Sequence, residues 1–296
     1  MKTGVIGLGA MGEPMARNLH RTGYLEAVWN RTAEKSHQLG NELDVTVAAD
    51  PAALALACDL VILSVSADAD VLDVIDALLP GLAAGKVVLD TSTISSEAAR
   101  QAAARLQPAG AHFLDAPVSG GMEGARKGTL AMMVGGEAAV LNRVAPVLDA
   151  ITGRVELMGP VGAGQATKAV NQIMAAGINQ AVSEALAFAA ALELPLDKVI
   201  DVVGSGAAGN WFLTHRGPTM TRGNYEPGFR VALHHKDLAI CKQMAEQFDV
   251  ALPVVEMTLI HYRRLMQAGL GDLDISALYH EKQGLFASDG TRPKRP

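Results

Sequence analysis

Val5-Ile6-Gly7-Leu8-Gly9-Ala10-Met11-Gly12-Glu13-Pro14-Met15-Ala16-Arg17 carries an apolar run into a glycine-spaced turn and on into a helical pattern. In such a stretch Gly7 allows the tight turn, Gly9 lets the backbone approach a diphosphate, and Gly12 lets helix and strand pack closely. The N-terminus of the helix that follows presents N–H groups to an anion. The reading is therefore a dinucleotide pyrophosphate site on Gly7, Leu8, Gly9, Ala10, Met11 and Gly12. A glycine string alone is a weak signal; the strand before it and the helix after it make it a strong one. The competing reading is a glycine-rich hairpin turn.

Outward from this turn, strand-like runs at Thr3–Leu8, Ala27–Asn30, Asp59–Val65, Lys86–Asp90 and Ala111–Asp115 alternate with helical segments. Those segments are Gly12–Arg21, Pro51–Ala57, Asp70–Leu79 and Ser95–Leu106. Such alternation predicts an α/β fold with parallel strands and crossover helices, the doubly wound, mostly parallel Rossmann-type sheet. Short strands at Leu130–Val134 and Val155–Met158, around a helix at Val140–Leu148, extend the same sheet. From Gly164 to Leu192 no signal stops a helix, and at ~1.5 Å per residue it spans about 40 Å, enough to join two domains. Beyond Pro195 the pattern stays helical, in Leu196–Val203, Val231–Gln247, Pro253–Ala268 and Ser276–Leu285. The expected organisation is a dinucleotide-binding domain over 1–162, a long helix over 163–192, an all-helical C-terminal domain over 193–287 and a loose tail over 288–296.

Two domains suit a chain of 296 residues, because single cores stop growing at roughly 250–300 residues. With 49% hydrophobic, 19% charged and 4% aromatic residues, the chain is globular with an aliphatic core. A net charge of −6, with one short basic tract at Arg292-Pro293-Lys294-Arg295, argues against nucleic acid as a partner. Gly7, Gly9, Gly12 and Pro14 interrupt any export signal, and Asp59 breaks the apolar run from Leu54 to Val65, so no membrane partner and a cytoplasmic location are expected. Cys58 and Cys241 lie far apart without C-x-x-C spacing and read as buried free thiols. The alanine-rich long helix and the apolar faces of the helical domain predict a homodimer or homotetramer.

An acid about 20 residues after the glycines would grip the adenosine ribose 2′-OH and select NAD. This chain has Asn30-Arg31-Thr32 there. Arg31 can pair with a 2′-phosphate in bidentate fashion, with Asn30 and Thr32 as further donors, so NADP is favoured and NAD is the lesser option. The alternative is that Arg31 is a solvated residue opening the next helix.

Four motifs stand in order along nearly the whole chain: Gly7 to Ala16; Asp115-Ala116-Pro117-Val118-Ser119-Gly120-Gly121; Gly164-Gln165-Ala166-Thr167-Lys168-Ala169-Val170-Asn171-Gln172; and Lys236-Asp237-Leu238. Together they resemble the β-hydroxyacid dehydrogenase family. The resemblance implies hydride transfer between NADP(H) and a small 3-hydroxy acid or its semialdehyde, of the 3-hydroxyisobutyrate dehydrogenase or 2-hydroxy-3-oxopropionate reductase type, on a small carboxylate-bearing substrate. Lys168 then becomes the catalytic lysine, and Asn171, three residues on, shares its helical face. Such a lysine protonates the alkoxide as hydride arrives, and burial disfavours its charged form. The resemblance places the substrate carboxylate at Ser119, Gly120 and Gly121, and adds Val65, Thr93 and Lys236 to the cofactor positions.

Each assignment has a plainer competitor: a strand-ending turn for Ser119-Gly120-Gly121, a helix cap for Thr93, a charged helix surface for Lys236. Trp211, after the glycine-rich stretch Gly204 to Gly209, is either packing or a lid over a small substrate. His234 and His235 lack metal-ligand spacing, so no metal site is expected. A glyoxylate or succinic semialdehyde reductase is the alternative within enzymes, and a dinucleotide-binding sensor or scaffold the alternative outside them.

Overall fold

The computed structural model describes residues 1–286; the tail expected over 288–296 lies outside the described residues. The chain divides into two compact units, the first Met1–Lys168 and the second beginning at Ala169.

The first unit runs β1 (Thr3–Ile6), α1 (Gly12–Arg21), β2 (Leu25–Trp29), α2 (Ala33–Leu43), β3 (Thr46–Val47), α3 (Pro51–Ala57), β4 (Leu60–Leu63), α4 (Asp68–Leu78), β5 (Val87–Asp90) and α5 (Ser96–Leu106). It continues with β6 (His112–Asp115), β7 (Val118–Ser119), α6 (Gly121–Lys127), β8 (Leu130–Gly135), α7 (Ala138–Leu148), β9 (Thr152–Gly159) and the start of α8 (Ala163–Ala191). The strands form one sheet in the order β3-β2-β1-β4-β5-β6-β8-β7, with β9 beside β8. All pairings from β3 to β6 are parallel; β8 runs antiparallel to β6 and β7 and parallel to β9. The mostly parallel doubly wound sheet expected from the alternation is the observed one.

Period-two side chains supply a core on each face of this sheet. Val5, Leu60, Ile62, Val87 and Leu89 enter one cluster with Met15 and Leu19 of α1, while Ile6, Val61, Leu63 and Val88 enter the other with Leu54 and Ile75. Burial on both faces explains why these strands read as continuous apolar runs. Cys58 packs in the second cluster as a free thiol, and burial pushes its pKa up to about 12.

Four elements escape the hydrophobic pattern. Helix α2 buries only Ser36, Leu39 and Gly40, too narrow a stripe to register as amphipathic. Helix α6 is seven residues with two glycines, and β3 and β7 are two residues each.

The second unit continues α8 and adds α9 (Leu196–Gly204), α10 (Trp211–Thr221), α11 (Val231–Glu246), α12 (Pro253–Gln267) and α13 (Leu278–Gln283). No strand element is found among its described residues, in line with the all-helical expectation. Helix α10 contains Gly217 and Pro218, breakers that hide it in the sequence. It starts because Asn210 accepts the Leu213 N–H at 3.0 Å. Helix α8 has the length and hydropathy of a membrane span, but it buries Gln172, Asn179, Gln180 and Ser183 within its own unit. Tyr262 is fully buried, its hydroxyl met by Asn179 Nδ2 at 3.2 Å and His234 Nδ1 at 3.0 Å.

The loop before α11 is organised by Asp274. Its carboxylate accepts the N–H groups of Gly228, Phe229 and Ser276, and Arg216 Nε at 2.9 Å. Burial alone would raise its pKa, yet the Arg216 charge prevails and holds it below the ordinary 3.8. A depressed folded pKa contributes stability that is complete above the unfolded value and lost as pH falls through the folded one. Asp274→Asn leaves the partly buried Arg216 without its counter-charge, and is expected to cost about 3 kcal/mol in urea unfolding at neutral pH, with the cost shrinking below pH 4.

Candidate active site

The strand order reverses between β1 and β4, and in open α/β sheets ligands bind outside the strand ends at such a point. Gly7 stands there with φ +93°, its N–H donated to the Trp29 carbonyl at 3.1 Å. A Cβ at Gly7 would run into the Ser64 carbonyl beyond β4, and one at Gly12 into the Gly7 carbonyl. A Cβ at Gly9 would meet nothing within 4 Å. The two outer glycines are thus demanded by protein packing, whereas the middle one opens the backbone to something else. Met11 caps α1 without a side-chain acceptor for its first N–H groups, and a cavity of about 680 Å³ runs from the turn along α1, lined by Gly9, Ala10, Glu13, Arg17, Lys35 and Arg126 among others. These residues fit a dinucleotide diphosphate.

Asn30, a donor expected at the cofactor, also ties the glycine turn together. Its Oδ1 accepts the Leu8 N–H at 2.8 Å and its Nδ2 donates to the Thr32 carbonyl at 2.9 Å, so the amide staples the glycine turn to the end of β2. Arg31 and Thr32 are exposed. Val65 donates its N–H to Ser92 Oγ at 2.9 Å, and Thr93 is half-buried in the same loop after β5.

Lys168 is reached from β6, whose C-terminal end lies on the same edge of the parallel sheet as that of β1. Asp115, last residue of β6, accepts the Gly162 N–H at 2.7 Å and the Gln165 N–H at 2.9 Å. It thereby satisfies donors at the start of α8 that the helix cannot pair internally. Burial raises the Asp115 carboxyl above its ordinary pKa, and these N–H groups offset part of the rise. Gln165 adds two bonds, accepting the Ile94 N–H at 3.2 Å and donating to the Ser92 carbonyl at 2.8 Å. One turn on, Lys168 is 7% exposed and its Nζ donates to the Val118 carbonyl at 2.8 Å. The residue after Val118 is Ser119, and Gly120 and Gly121 follow with φ of +130° and +61°. The structure thus brings the ammonium beside the predicted carboxylate turn, where two glycines leave the backbone uncovered.

In the second unit, Asn171 Nδ2 donates to Gln172 Oε1 at 2.7 Å, and Gln172 Nε2 donates to Asp237 Oδ2 at 2.6 Å. Asp237 Oδ1 holds Lys236 Nζ at 2.9 Å. His234 Nε2 lies 3.2 Å from the Gln172 carbonyl. Gln172, Asp237 and His234 are all buried, so the histidine belongs to a polar network of the core. Trp211 is 54% exposed, stacked on His215 with ring centroids 4.5 Å apart; it packs against its own helix.

Sequence reasoning gave Ser92 no role, and it named Asp115 and Gln165 only as members of motifs. All three are polar residues next to strand or helix ends, a pattern that motif spacing alone does not separate from turns.

Two family models match the chain: the NAD binding domain of 6-phosphogluconate dehydrogenase over residues 2–159, and the NAD-binding domain of NADP-dependent 3-hydroxyisobutyrate dehydrogenase over 162–281. The chain is 36% identical to 2-hydroxy-3-oxopropionate reductase of Escherichia coli, covering 94% of this chain and 96% of that one. It is 33% identical to the NAD-dependent L-serine dehydrogenase of Pseudomonas aeruginosa, covering 92% and 95%. The structure of Mycobacterium tuberculosis 3-hydroxyisobutyrate dehydrogenase with L-serine superposes with a TM-score of 0.84 at 32% identity, covering 95% and 98%.

The steric contrast among the glycines is testable. Gly12→Ala is expected to lower stability by about 1–3 kcal/mol through overpacking, whereas Gly9→Ala keeps the wild-type melting temperature and loses dinucleotide affinity. Thermal unfolding and NADPH titration of the same preparations check both.

Proposed function

The chain belongs to the β-hydroxyacid dehydrogenase family, and we propose that it interconverts a small 3-hydroxy acid and its semialdehyde with NADP(H), using Lys168 as general acid and base. The observation that carries this reading is the buried Lys168 ammonium, 2.8 Å from the carbonyl that precedes Ser119-Gly120-Gly121. A carboxylate bound by that turn sets the other end of a short substrate within a lysine's reach. The substrates for which the relatives are named share this shape, a carboxylate with a hydroxyl or carbonyl carbon close by.

A bound nicotinamide supplies or takes the hydride at the carbinol carbon. The chain's own part is proton management. In reduction the Lys168 ammonium gives a proton to the substrate oxygen as negative charge develops there; in oxidation the neutral amine takes the hydroxyl proton. Asn171, three residues along the same helix, has one Nδ2 hydrogen engaged by Gln172, which fixes the amide's orientation toward its neighbours. Asp237 pairs with Lys236, the lysine assigned to the cofactor, at 2.9 Å. Ser119 supplies a hydroxyl donor to the carboxylate. Arg31 is the proposed 2′-phosphate partner, and the absence of an acid on Asn30-Arg31-Thr32 supports NADP over NAD.

Lys168→Ala is expected to lower kcat by about 10²- to 10⁴-fold, the usual worth of a positioned acid–base group, while NADPH still binds. NADPH oxidation by wild type and variant, each given a panel of small semialdehydes and glyoxylate, checks this and ranks substrates. NADPH binding with no turnover by the wild type would favour the scaffold reading. Arg31→Asp is expected to weaken NADPH far more than NADH, and equal loss of both in fluorescence titrations would remove Arg31 from the site.

A further inference from the structure

Arg31 does not stand alone at the end of β2. Its Nη1 lies 2.7 Å from Asp70 Oδ1. Asp70 is in the first turn of α4, which follows β4, while Arg31 follows β2, and these two strands flank β1 on opposite sides. The ion pair therefore spans the end of the strand that leads into the glycine turn. The Arg31 side chain is 82% exposed and that of Asp70 24%, so the acid is the more firmly seated partner. The other acid of that helical turn, Asp68, is engaged elsewhere, accepting both the N–H and the Oγ–H of Ser95.

Dinucleotide sites choose between cofactors at the adenosine 2′ position. A carboxylate accepts a hydrogen bond from the 2′-OH of NAD, and a cation pairs with the 2′-phosphate of NADP. In this chain Asn30-Arg31-Thr32, which follows β2, supplies the cation and no acid. We propose that Asp70 is the missing acid of this subsite, delivered from α4, and that the Arg31–Asp70 pair makes the protein accept both NADP(H) and NAD(H). A 2′-phosphate must take Arg31 from Asp70 and then sit near its negative charge. A 2′-OH meets neither cost and gains an acceptor. Asp70 therefore acts as a specificity residue that holds NADP preference below the level Arg31 alone would set. The inference rests on the proposed role of Arg31.

The test uses the full chain as wild type, Asp70→Asn, Asp70→Glu and Arg31→Ala. Dissociation constants are measured for NADPH and NADH, and for the fragments 2′,5′-ADP and 5′-AMP, which probe the adenosine end without any turnover. Asp70→Asn is expected to tighten NADPH and 2′,5′-ADP by about two- to fivefold, the scale of one exposed charge pair. NADH and 5′-AMP stay level or weaken. Asp70→Glu keeps the wild-type ratio, which separates charge from local folding. An Asp70→Asn protein with an unchanged or lower preference for NADPH over NADH overturns the inference, provided Arg31→Ala is selective for NADPH. If Arg31→Ala weakens NADPH and NADH equally, the Arg31 assignment itself has failed and this inference falls with it.

Discussion

The carboxylate of Asp115 at the start of α8 is the constraint on which the candidate site depends. It sits on the last residue of β6 and takes two N–H groups from the beginning of the longest helix in the described chain. Helix N-termini carry unpaired donors and a partial positive charge, so a buried acid there answers two needs at once. The fit is close: a Cβ on Gly164 would collide with the Met133 and Asp115 carbonyls. With the first turn pinned, Lys168 has little freedom in where its ammonium goes, and it goes to the Val118 carbonyl beside the glycine turn. A catalytic lysine needs this kind of support because its long side chain otherwise samples many rotamers.

A second constraint works at the sheet's reversal point, between β1 and β4. Gly7 and Gly12 let the chain turn within contact of β4's end, and Asn30 fastens the turn to β2. Backbone atoms, not side chains, then line the space beside Gly9. Anion binding by a backbone cradle requires that the cradle be rigid before the ligand arrives, since ordering it afterwards would cost conformational entropy.

Much of this was legible in the sequence. Helices α1 and α3 begin and end where apolar spacing and breakers predicted, and the central strands differ from their predicted runs by one to three residues at an end. These are segments whose both-face burial or amphipathic stripe writes itself into local pattern. The misses were elements with little to bury, such as α2, or with internal glycine and proline, such as α10. In the site, Gly7 to Gly12, Arg31, Lys168, Ser119 and Asn171 were named from motifs. The side chains that position them were mostly not named, because a hydrogen bond from Gln165 to Ser92 joins residues 73 apart and no local pattern marks it.

The sequence by itself determined the fold class, the glycine turn and the identity of the chemical groups, because period, breakers and motif spacing are local properties of the chain. Only the tertiary structure decided which groups meet. Asp115 reaches Gln165 across 50 residues, Lys168 reaches Val118 across 50, and Arg31 meets Asp70 across 39. Asn30 meets the Leu8 N–H across 22 residues because the end of β2 lies against the glycine turn. Asp70, unremarked in the sequence, became the partner of Arg31 because strand order places β2 and β4 on either side of β1. Sheet order is set by packing and crossover connections over the whole domain, and a reading of neighbours along the chain does not contain it.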